Sequence, residues 1–332
     1  MIADERPICY TVIGIIPIIF YIPQLREEGR MFAKRSDGKA VKVDPYTKLP
    51  PHIMSKRSDA LNFAKVSLRC EGIDEFVKKE RARTGSFYSY LDIVIAAAVR
   101  LFAERKALNR FVNAGRIYQR DHIYVSFVIK RSLKDTAFST AVKVEFNGSE
   151  TIEEVKNKIE GIIEETSGKN DANRVDTTAA FMAKAPNFVI RLMWWTLKKL
   201  DKWNMLPKSL IKTSPFHTSL FITNMKSIKT DYIYHHCYDF GTTGIFFGMG
   251  KEKMVPVVEG NTVVPGKVMT IGVVTDERFC DGLYFANSLR EMKRFFDNLD
   301  LLLEPYHDEQ VDAVIAADKA AAENKAKKAG KK

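Results

Sequence analysis

A chain of 332 residues with 45% hydrophobic residues can bury one large core or two modest ones. Its net charge of +11 favours anionic partners, namely a phosphorylated cofactor, nucleic acid or a membrane surface, although a basic surface and tail would give the same value. The four cysteines (Cys9, Cys70, Cys237 and Cys280) have no paired spacing such as C-x-x-C, which excludes a disulfide scaffold and a zinc site and favours a reducing cytoplasm.

The first thirty residues are apolar between Cys9 and Pro23, with isoleucine-rich runs that prolines interrupt. This stretch is shorter than the roughly 20 residues that a membrane-spanning helix needs, and no small-residue cleavage site follows it. The charged run before Met31 would be encoded by purine-rich codons, and a bacterial ribosome-binding site is also rich in purines. We therefore expect translation to start at Met31 and residues 1–30 to be a mis-assigned leader. A membrane-anchoring segment is the alternative.

Residues 31–60 are polar and rich in turn-forming residues, which predicts an extended arm. Alternating apolar residues predict a half-buried strand over 61–68, and helical periodicity follows over 73–83. A second helix over 88–107 is apolar on nearly all sides, which predicts a central position in the fold.

Strands and helices continue to alternate along the rest of the chain. Strands are predicted at 116–118 and 123–129 (a hairpin-like pair), 139–146, 219–223 and 244–250. Thr151 and Glu154 form a capping-box pattern that begins another helix. This alternation favours one layered α/β domain over 61–305, and the alanine- and lysine-rich residues 306–332 predict a partly helical, fraying tail.

Residues 188–204 combine three tryptophans with interleaved arginine and lysine. Leu192, Trp195, Lys199 and Trp203 share one face, so the separation of apolar and basic residues is imperfect. A membrane-surface helix, a lid over an acyl pocket and a packing helix with snorkelling lysines all use this composition. The basic end of the tail predicts at most nucleic-acid binding without sequence specificity, because the folded part has no RNA-binding signature.

A charged cluster over 275–282 lies between a predicted strand and a predicted helix. The β-branched residues of 268–274 predict a buried strand before it. The apolar residues Phe285, Leu289, Met292 and Phe296 then recur at helical spacing. A charged cluster at such a corner is where folds often place chemistry.

The corner resembles the active-site signature D-H-R-x-x-D-G of the dihydrolipoyl acyltransferases of 2-oxoacid dehydrogenase complexes. It also resembles the H-H-x-x-x-D-G of chloramphenicol acetyltransferases. Asp276, Arg278, Asp281 and Gly282 match the first pattern, while Glu277 stands where that family has histidine. Three further segments resemble signatures of the dihydrolipoyl acyltransferases and follow one another in the same order as in that family. They are the turn at 106–111, the F-T-I-S-N-L-like strand at 220–225 and the P-V-V segment within 248–258.

The resemblance, which covers about 61–304, implies a single α/β domain with a chloramphenicol acetyltransferase-like mixed sheet and flanking helices. It also implies a homotrimer with sites shared between neighbouring subunits. Coenzyme A or acyl-coenzyme A would be a substrate, together with a small acyl acceptor. No covalently attached lipoyl group is expected, because the lipoyl-bearing module of the family is not found in this sequence. No metal site is expected either, because the spacing of the histidines and cysteines matches no zinc pattern.

In the resembled enzymes the histidine takes a proton from a thiol, the thiolate attacks an acyl thioester, and a hydroxyl group donates to the oxyanion. Glu277 falls at the position of the base and Thr223 at that of the hydroxyl group. Asp281, Gly282 and Arg278 are expected to shape the corner without reacting. Each has a plainer interpretation: Thr223 as an ordinary strand residue, Asp281 and Gly282 as an N-cap with a tight turn, and Arg278 as a solvated side chain.

A glutamate is a weaker base for this reaction than a histidine. Ordinary pKa values are about 8.5 for a thiol, about 6.5 for histidine and about 4.3 for glutamate. The difference between the two bases is worth about 3 kcal/mol, or roughly a hundredfold in rate. Burial of the carboxyl group would close this gap, so catalysis by Glu277 requires a dry setting. The alternative is a catalytically inactive trimeric binding or scaffold protein of the same fold.

Other reactive side chains near the corner have structural interpretations. Cys280 could be a nucleophile at a helix start, but its apolar neighbour Phe279 favours a buried thiol. His217 and the pair His235 and His236 could approach the corner. Adjacent histidines in a strand would point to opposite faces, however, and their spacing matches no zinc site.

Overall fold

The computed structural model describes residues 35–130, 139–168 and 185–329. The expected leader over 1–30, the start at Met31 and Cys9 lie outside these residues. The arm predicted over 31–60 is less extended than expected, since it holds the short strand β1 (Gly38–Ala40) and two helical turns, α1 (Pro45–Lys48) and α2 (Pro50–Ile53). Proline at the first helical positions and a cap from the Asp44 side chain favour these turns.

The other elements follow in chain order. The helices are α3 (Glu71–Thr84), α4 (Tyr90–Glu104), α5 (Ile152–Gly168), α6 (Asn187–Lys202), α7 (Lys208–Thr213), α8 (Gly282–Asp297) and α9 (Glu309–Ala329). The strands are β2 (Leu61–Arg69), β3 (Arg110–Asn113), β4 (Arg116–Arg120), β5 (Ile123–Lys130), β6 (Ser139–Phe146), β7 (Leu220–Asn224), β8 (Ile245–Met249), β9 (Lys253–Glu259) and β10 (Thr262–Asp276). No helix in the described ranges is both long and apolar enough to cross a membrane.

The larger sheet of the described chain is mixed and has the order β2-β10-β8-β7-β5-β6, with β9 paired to β10. The β5–β7 and β7–β8 pairs are parallel, and the other pairs are antiparallel. A smaller sheet has the order β1-β4-β3. The predicted hairpin between 116–118 and 123–129 is therefore wrong. The chain leaves one sheet at the end of β4 and enters the other at β5, so that the two segments pair with different partners.

The main core forms around α4, whose residues from Asp92 to Ala103 are all buried. Ser89 and Asp92 form a capping box that fixes the start of this helix. The central position predicted for it is confirmed. The capping box predicted for α5 is also present, since Thr151 N donates to Glu154 Oε2 at 2.8 Å and Glu154 N donates to Thr151 Oγ1 at 3.3 Å.

The charged cluster lies where the sequence predicts it, between a strand and a helix. β10 ends at Asp276, a 3₁₀ turn covers Glu277–Phe279, and α8 begins at Gly282. Met292 and Phe296 of α8 are buried against the core. The predicted tail is more helical than expected, because α9 continues to Ala329, and its first turn buries Val311.

Candidate active site at the strand–helix corner

Glu277 is only half-buried at the corner, so one chain alone does not give the dry setting expected for a glutamate base. Its carboxylate is held by a residue from another strand. Nδ2 of Asn62 donates a hydrogen bond to Glu277 Oε2 at 2.6 Å. Asn62 is on β2, where it pairs with Thr275 of β10. The register of these two strands therefore places an amide donor beside the carboxylate. Oε1 of Glu277 accepts no hydrogen bond from the described residues, which leaves it available to take a proton.

The neighbouring carboxylate, Asp276, is fully engaged in buried ion pairs. Arg278 donates from Nε to Oδ1 at 2.8 Å and from Nη2 to Oδ2 at 2.7 Å, and Arg57 Nε lies 3.3 Å from Oδ2. All three side chains are at most 5% exposed. Two cations around one buried carboxylate make Asp276 a structural anchor of the corner.

The two arginines also attach the N-terminal arm to this anchor. Arg278 donates to the carbonyl oxygen of Met54 at 3.2 Å. Arg57, itself on the arm, donates to the carbonyl oxygens of Tyr238 and Gly241, the second at 2.9 Å. Arg278 is thus buried and bidentate, a geometry that suits a brace and not a solvated side chain.

Asp281 and Gly282 lie at the start of α8. Asp281 is exposed, and its Oδ1 accepts a hydrogen bond from Tyr284 N at 2.9 Å, which is the geometry of an N-cap. Within the described residues its carboxylate has no arginine partner. Gly282 has no positive φ and a Cβ at this position would meet nothing within 4 Å, so the turn does not require glycine. The tight-turn interpretation of Gly282 is therefore wrong.

The thiol of Cys280 is buried between the corner and the core. Burial raises the pKa of Cys280 to about 12, so the thiol is neutral at physiological pH. A neutral buried thiol is a poor nucleophile. This agrees with the packing role that the apolar surroundings predict.

Thr223 is half-buried near the end of β7, and its hydroxyl group makes no hydrogen bond within the described residues. The sheet register places Thr223 level with Gly248 of β8, which in turn pairs with Gly272 of β10. Glu277 lies five residues beyond Gly272, just past the end of β10, and two strands away from Thr223, a separation of roughly 20 Å. One chain therefore does not bring Thr223 and Glu277 together.

None of the histidines considered from the sequence forms a hydrogen bond or an ion pair with Glu277 in the described structure. His217 is fully buried, with Nδ1 2.9 Å from Ser214 Oγ and Nε2 3.3 Å from Asp201 Oδ2. Burial lowers the pKa of His217. His235 and His236 are not in a strand, and their rings stack at 4.8 Å instead of pointing to opposite faces. Among the described residues, no group of three or more His, Cys, Asp or Glu could hold a metal ion.

A cavity of about 460 Å³ lies beside the corner, between the arm, the β3–β4 turn and α6. Its cationic lining residues are Lys56, Arg57, Lys198, Lys202 and Arg278, and its carboxylates are Asp201 and Asp239. Asp201 is paired with Arg35 at 3.0 Å, and Asp239 accepts hydrogen bonds from backbone N–H groups of the arm. The cavity therefore carries an excess of positive charge and favours an anionic ligand.

Two residues of this corner were not found from the sequence, namely Asn62 and Arg57. Asn62 is 215 residues away from its partner Glu277, and Arg57 is 219 residues away from Asp276. Neither belongs to a local motif. If the pairing register of β2 and β10 were known from the sequence, it would identify Asn62, because the residue opposite Thr275 lies beside the corner.

Comparisons with known proteins cover the corner and the whole fold. The family model of the 2-oxoacid dehydrogenases acyltransferase catalytic domain matches residues 242–304, which include Glu277 and exclude Thr223. No curated protein sequence matches the chain.

The fold is similar to those of solved acyltransferase cores. A probable dihydrolipoamide acetyltransferase from Listeria monocytogenes 4b F2365 is 12% identical, with 79% of this chain and 95% of that chain covered and a TM-score of 0.50. The cubic core of a pyruvate dehydrogenase multienzyme complex is 11% identical, with 91% and 100% covered and a TM-score of 0.51. At these identities the similarity establishes the fold alone. The predicted resemblance to the 2-oxoacid dehydrogenase acyltransferases and the predicted mixed α/β fold are confirmed.

Proposed function

We propose that this chain is an acyltransferase that moves an acyl group between coenzyme A and a small acceptor, with Glu277 as the general base. The observation that supports this most directly is the state of the two acids at the corner. Asp276 is neutralised by two buried arginines, whereas Glu277 has one oxygen fixed by Asn62 and the other without a partner in the described chain. The family match spans this corner.

In the proposed reaction Glu277 takes a proton from the thiol of coenzyme A, or from the acceptor in the reverse direction. The thiolate attacks the carbonyl carbon of an acyl thioester and forms a tetrahedral oxyanion. Collapse of this intermediate breaks the carbon–sulfur bond to the leaving thiolate, which takes the proton back from Glu277. No other reactant is needed, and the corner keeps its protonation state over one cycle.

The oxyanion donor is proposed to be Thr223 of a neighbouring copy in a homotrimer. Its hydroxyl group has no partner in the described chain and is free to donate to an oxyanion. The separation of roughly 20 Å within one chain leaves an intermolecular site as the arrangement in which Thr223 and Glu277 could act together.

The cavity beside the corner is proposed to receive the phosphate groups of coenzyme A. Lys56, Lys198 and Lys202 reach it from the arm and α6, and Arg278 connects its wall to the corner. Lysine and arginine side chains are the usual partners of phosphate oxygens. Arg278 lines the cavity and directly follows Glu277, which supports a phosphate subsite close to the proposed base.

The test is release of free thiol from acetyl-coenzyme A by the purified protein with a panel of small thiol and hydroxyl acceptors. Glu277→Gln should abolish acceptor-dependent release and leave coenzyme A binding intact, whereas Asp281→Asn, which preserves the exposed cap, should change neither. Absence of both coenzyme A binding and turnover would refute the proposal.

The alternative, an inactive binding protein of the same fold, is suggested by the absence of the family histidine at 277. It predicts coenzyme A binding without turnover in the wild-type protein. Glu277→His then separates the two functions. A gain of transfer activity from zero would show an intact pocket that lacks its base, and a fall from a measurable wild-type rate would support Glu277 as the evolved base.

A further inference from the structure

Helix α6 has an inward face that fixes it to the rest of the protein. Trp194 packs edge-on against Phe240 with ring centroids 5.1 Å apart. At the end of the helix, the buried Asp201 carboxylate lies 3.0 Å from Arg35 Nη1 and 3.3 Å from His217 Nε2. These contacts hold the helix in one orientation, and so define which of its side chains face outwards.

The outward face of α6 is apolar as well. Phe188, Leu192 and Trp195 are between 57% and 70% exposed, and Trp203 at the end of the helix is 51% exposed. At 3.6 residues per turn, these four side chains fall within a sector of about 80°. Large apolar side chains grouped in this way on a surface usually mark an interaction site.

Every exposed charge on α6 is positive. Arg191, Lys198 and Lys202 lie along one side of the apolar sector, and Lys199 lies within it, its Nζ 5.7 Å from the centre of the Trp195 ring. Asp201 is the only acidic residue of the helix, and its carboxylate is buried in the ion pairs described above. The outward surface thus combines bulky apolar groups, tryptophan and four cations.

We propose that α6 docks the protein, parallel to the surface, on a bilayer that contains anionic phospholipids. The apolar sector would enter the boundary between headgroups and acyl chains, where tryptophan is favoured. The four cations would lie at the level of the lipid phosphates, each strengthening the attraction to a negative surface. The proposal does not require acyl transfer, but it shares Lys198 and Lys202 with the proposed coenzyme A cavity, so the variants that test it leave these two lysines unchanged.

A two-fold dimer formed through α6 fits this surface less well than a membrane does. A two-fold contact through α6 would bring the four cations of one helix against the same four of the other. An anionic bilayer neutralises the same charges. The charge pattern therefore favours an anionic lipid surface over a symmetric contact between two α6 helices.

The intrinsic tryptophan fluorescence of the protein can test this proposal. Its three tryptophans, Trp194, Trp195 and Trp203, all lie on α6 or at its end. Vesicles of phosphatidylglycerol and phosphatidylcholine should shift the tryptophan emission to shorter wavelength and carry the protein into the pellet on sedimentation. Vesicles of pure phosphatidylcholine should bind it at least about tenfold more weakly, and added salt should weaken the binding to the anionic vesicles.

Two pairs of variants make the test specific. Leu192→Ser with Trp195→Ser, and separately Arg191→Glu with Lys199→Glu, should each lower the affinity for anionic vesicles by about tenfold or more. The control is a double variant with Lys78→Glu and Lys293→Glu, at exposed positions on α3 and α8. It changes the net charge by the same amount as the Arg191→Glu, Lys199→Glu variant and should retain most of the affinity for anionic vesicles. Circular dichroism and thermal unfolding confirm that each variant is folded.

Three outcomes would overturn the proposal. One is the absence of any emission shift or sedimentation with anionic vesicles. Another is equal weakening by the control pair, which would show that net charge alone drives binding. The third is a change in oligomeric state, measured by light scattering, in the Leu192→Ser, Trp195→Ser variant, since α6 would then be an interface between copies.

Discussion

The amide of Asn62 and the carboxylate of Glu277 form a 2.6 Å hydrogen bond across the β2–β10 pair. This contact fixes one oxygen of Glu277 and thereby the direction of the other. A general base must hold its accepting atom within hydrogen-bond reach of the proton it removes. Asn62 is thus a positioning residue for the proposed base.

Replacing Asn62 should lower turnover more than substrate binding. We expect Asn62→Ala to lower kcat by about tenfold or more with little change in KM, because a loosely held base is misplaced in the transition state. Steady-state kinetics measure the two constants. Asn62→Gln, which keeps an amide donor, should recover part of kcat. An unchanged kcat in Asn62→Ala at unchanged thermal stability would show that the contact has no positioning role.

The separation of Thr223 and Glu277 predicts complementation between inactive variants. Thr223→Ala and Glu277→Gln should each abolish transfer when assayed alone. If the variants are unfolded together and refolded as mixed trimers, sites that combine an intact Glu277 with an intact Thr223 from the next copy should appear. Random mixing in equal amounts should restore about a quarter of the wild-type rate.

Mixing the same variants without subunit exchange is the control and should give no activity. Absence of recovery in trimers shown by mass spectrometry to be mixed would exclude a site shared between copies. The proposed role of Thr223 would then fail, because one chain does not bring it near Glu277.

The sequence predicted the fold better than it predicted the contacts of the site. The strand–corner–helix order around 275–282 and the central helix α4 follow from local apolar periodicity, and both are present. The β4–β5 hairpin was predicted wrongly because short, adjacent apolar runs do not reveal which sheet each run joins. Periodicity identifies an element, but pairing depends on the rest of the chain.

The contacts of the corner depend on pairing of this kind. Arg57 reaches Asp276 only because the arm folds back over the end of β10. Asn62 reaches Glu277 through a register that no local signal specifies. The sequence could therefore identify the charged cluster at the corner, whereas which of its acids is neutralised follows only from the tertiary structure.

Asp276 should be essential for stability. Asp276→Asn removes the negative charge between two guanidinium groups that are at most 5% exposed, which leaves two buried cations without a counter-charge. We expect a loss of about 3–5 kcal/mol in the free energy of unfolding, measured by urea denaturation. Asp281→Asn is the matched control, since asparagine caps a helix as well as aspartate, and should change the free energy little. Equal stability of the two variants would contradict the assignment of Asp276 as an anchor.

The stability of the protein should fall on acidification through the ordinary histidine range. Burial lowers the pKa of His217 in spite of the neighbouring Asp201, and burial against Phe246 likewise lowers the pKa of His235. In the unfolded chain both histidines have a pKa of about 6.5. Below that pH the unfolded chain binds protons that the folded chain does not bind, so the free energy of unfolding decreases as the pH falls towards the folded pKa values.

Urea denaturation at several pH values between about pH 8 and about pH 5 measures how the free energy of unfolding changes with pH. His217→Gln should make the decrease shallower, with the remaining slope due in part to His235. An unfolding free energy that stays level or rises between about pH 7 and about pH 5 in the wild-type protein would show that neither histidine is held neutral by burial.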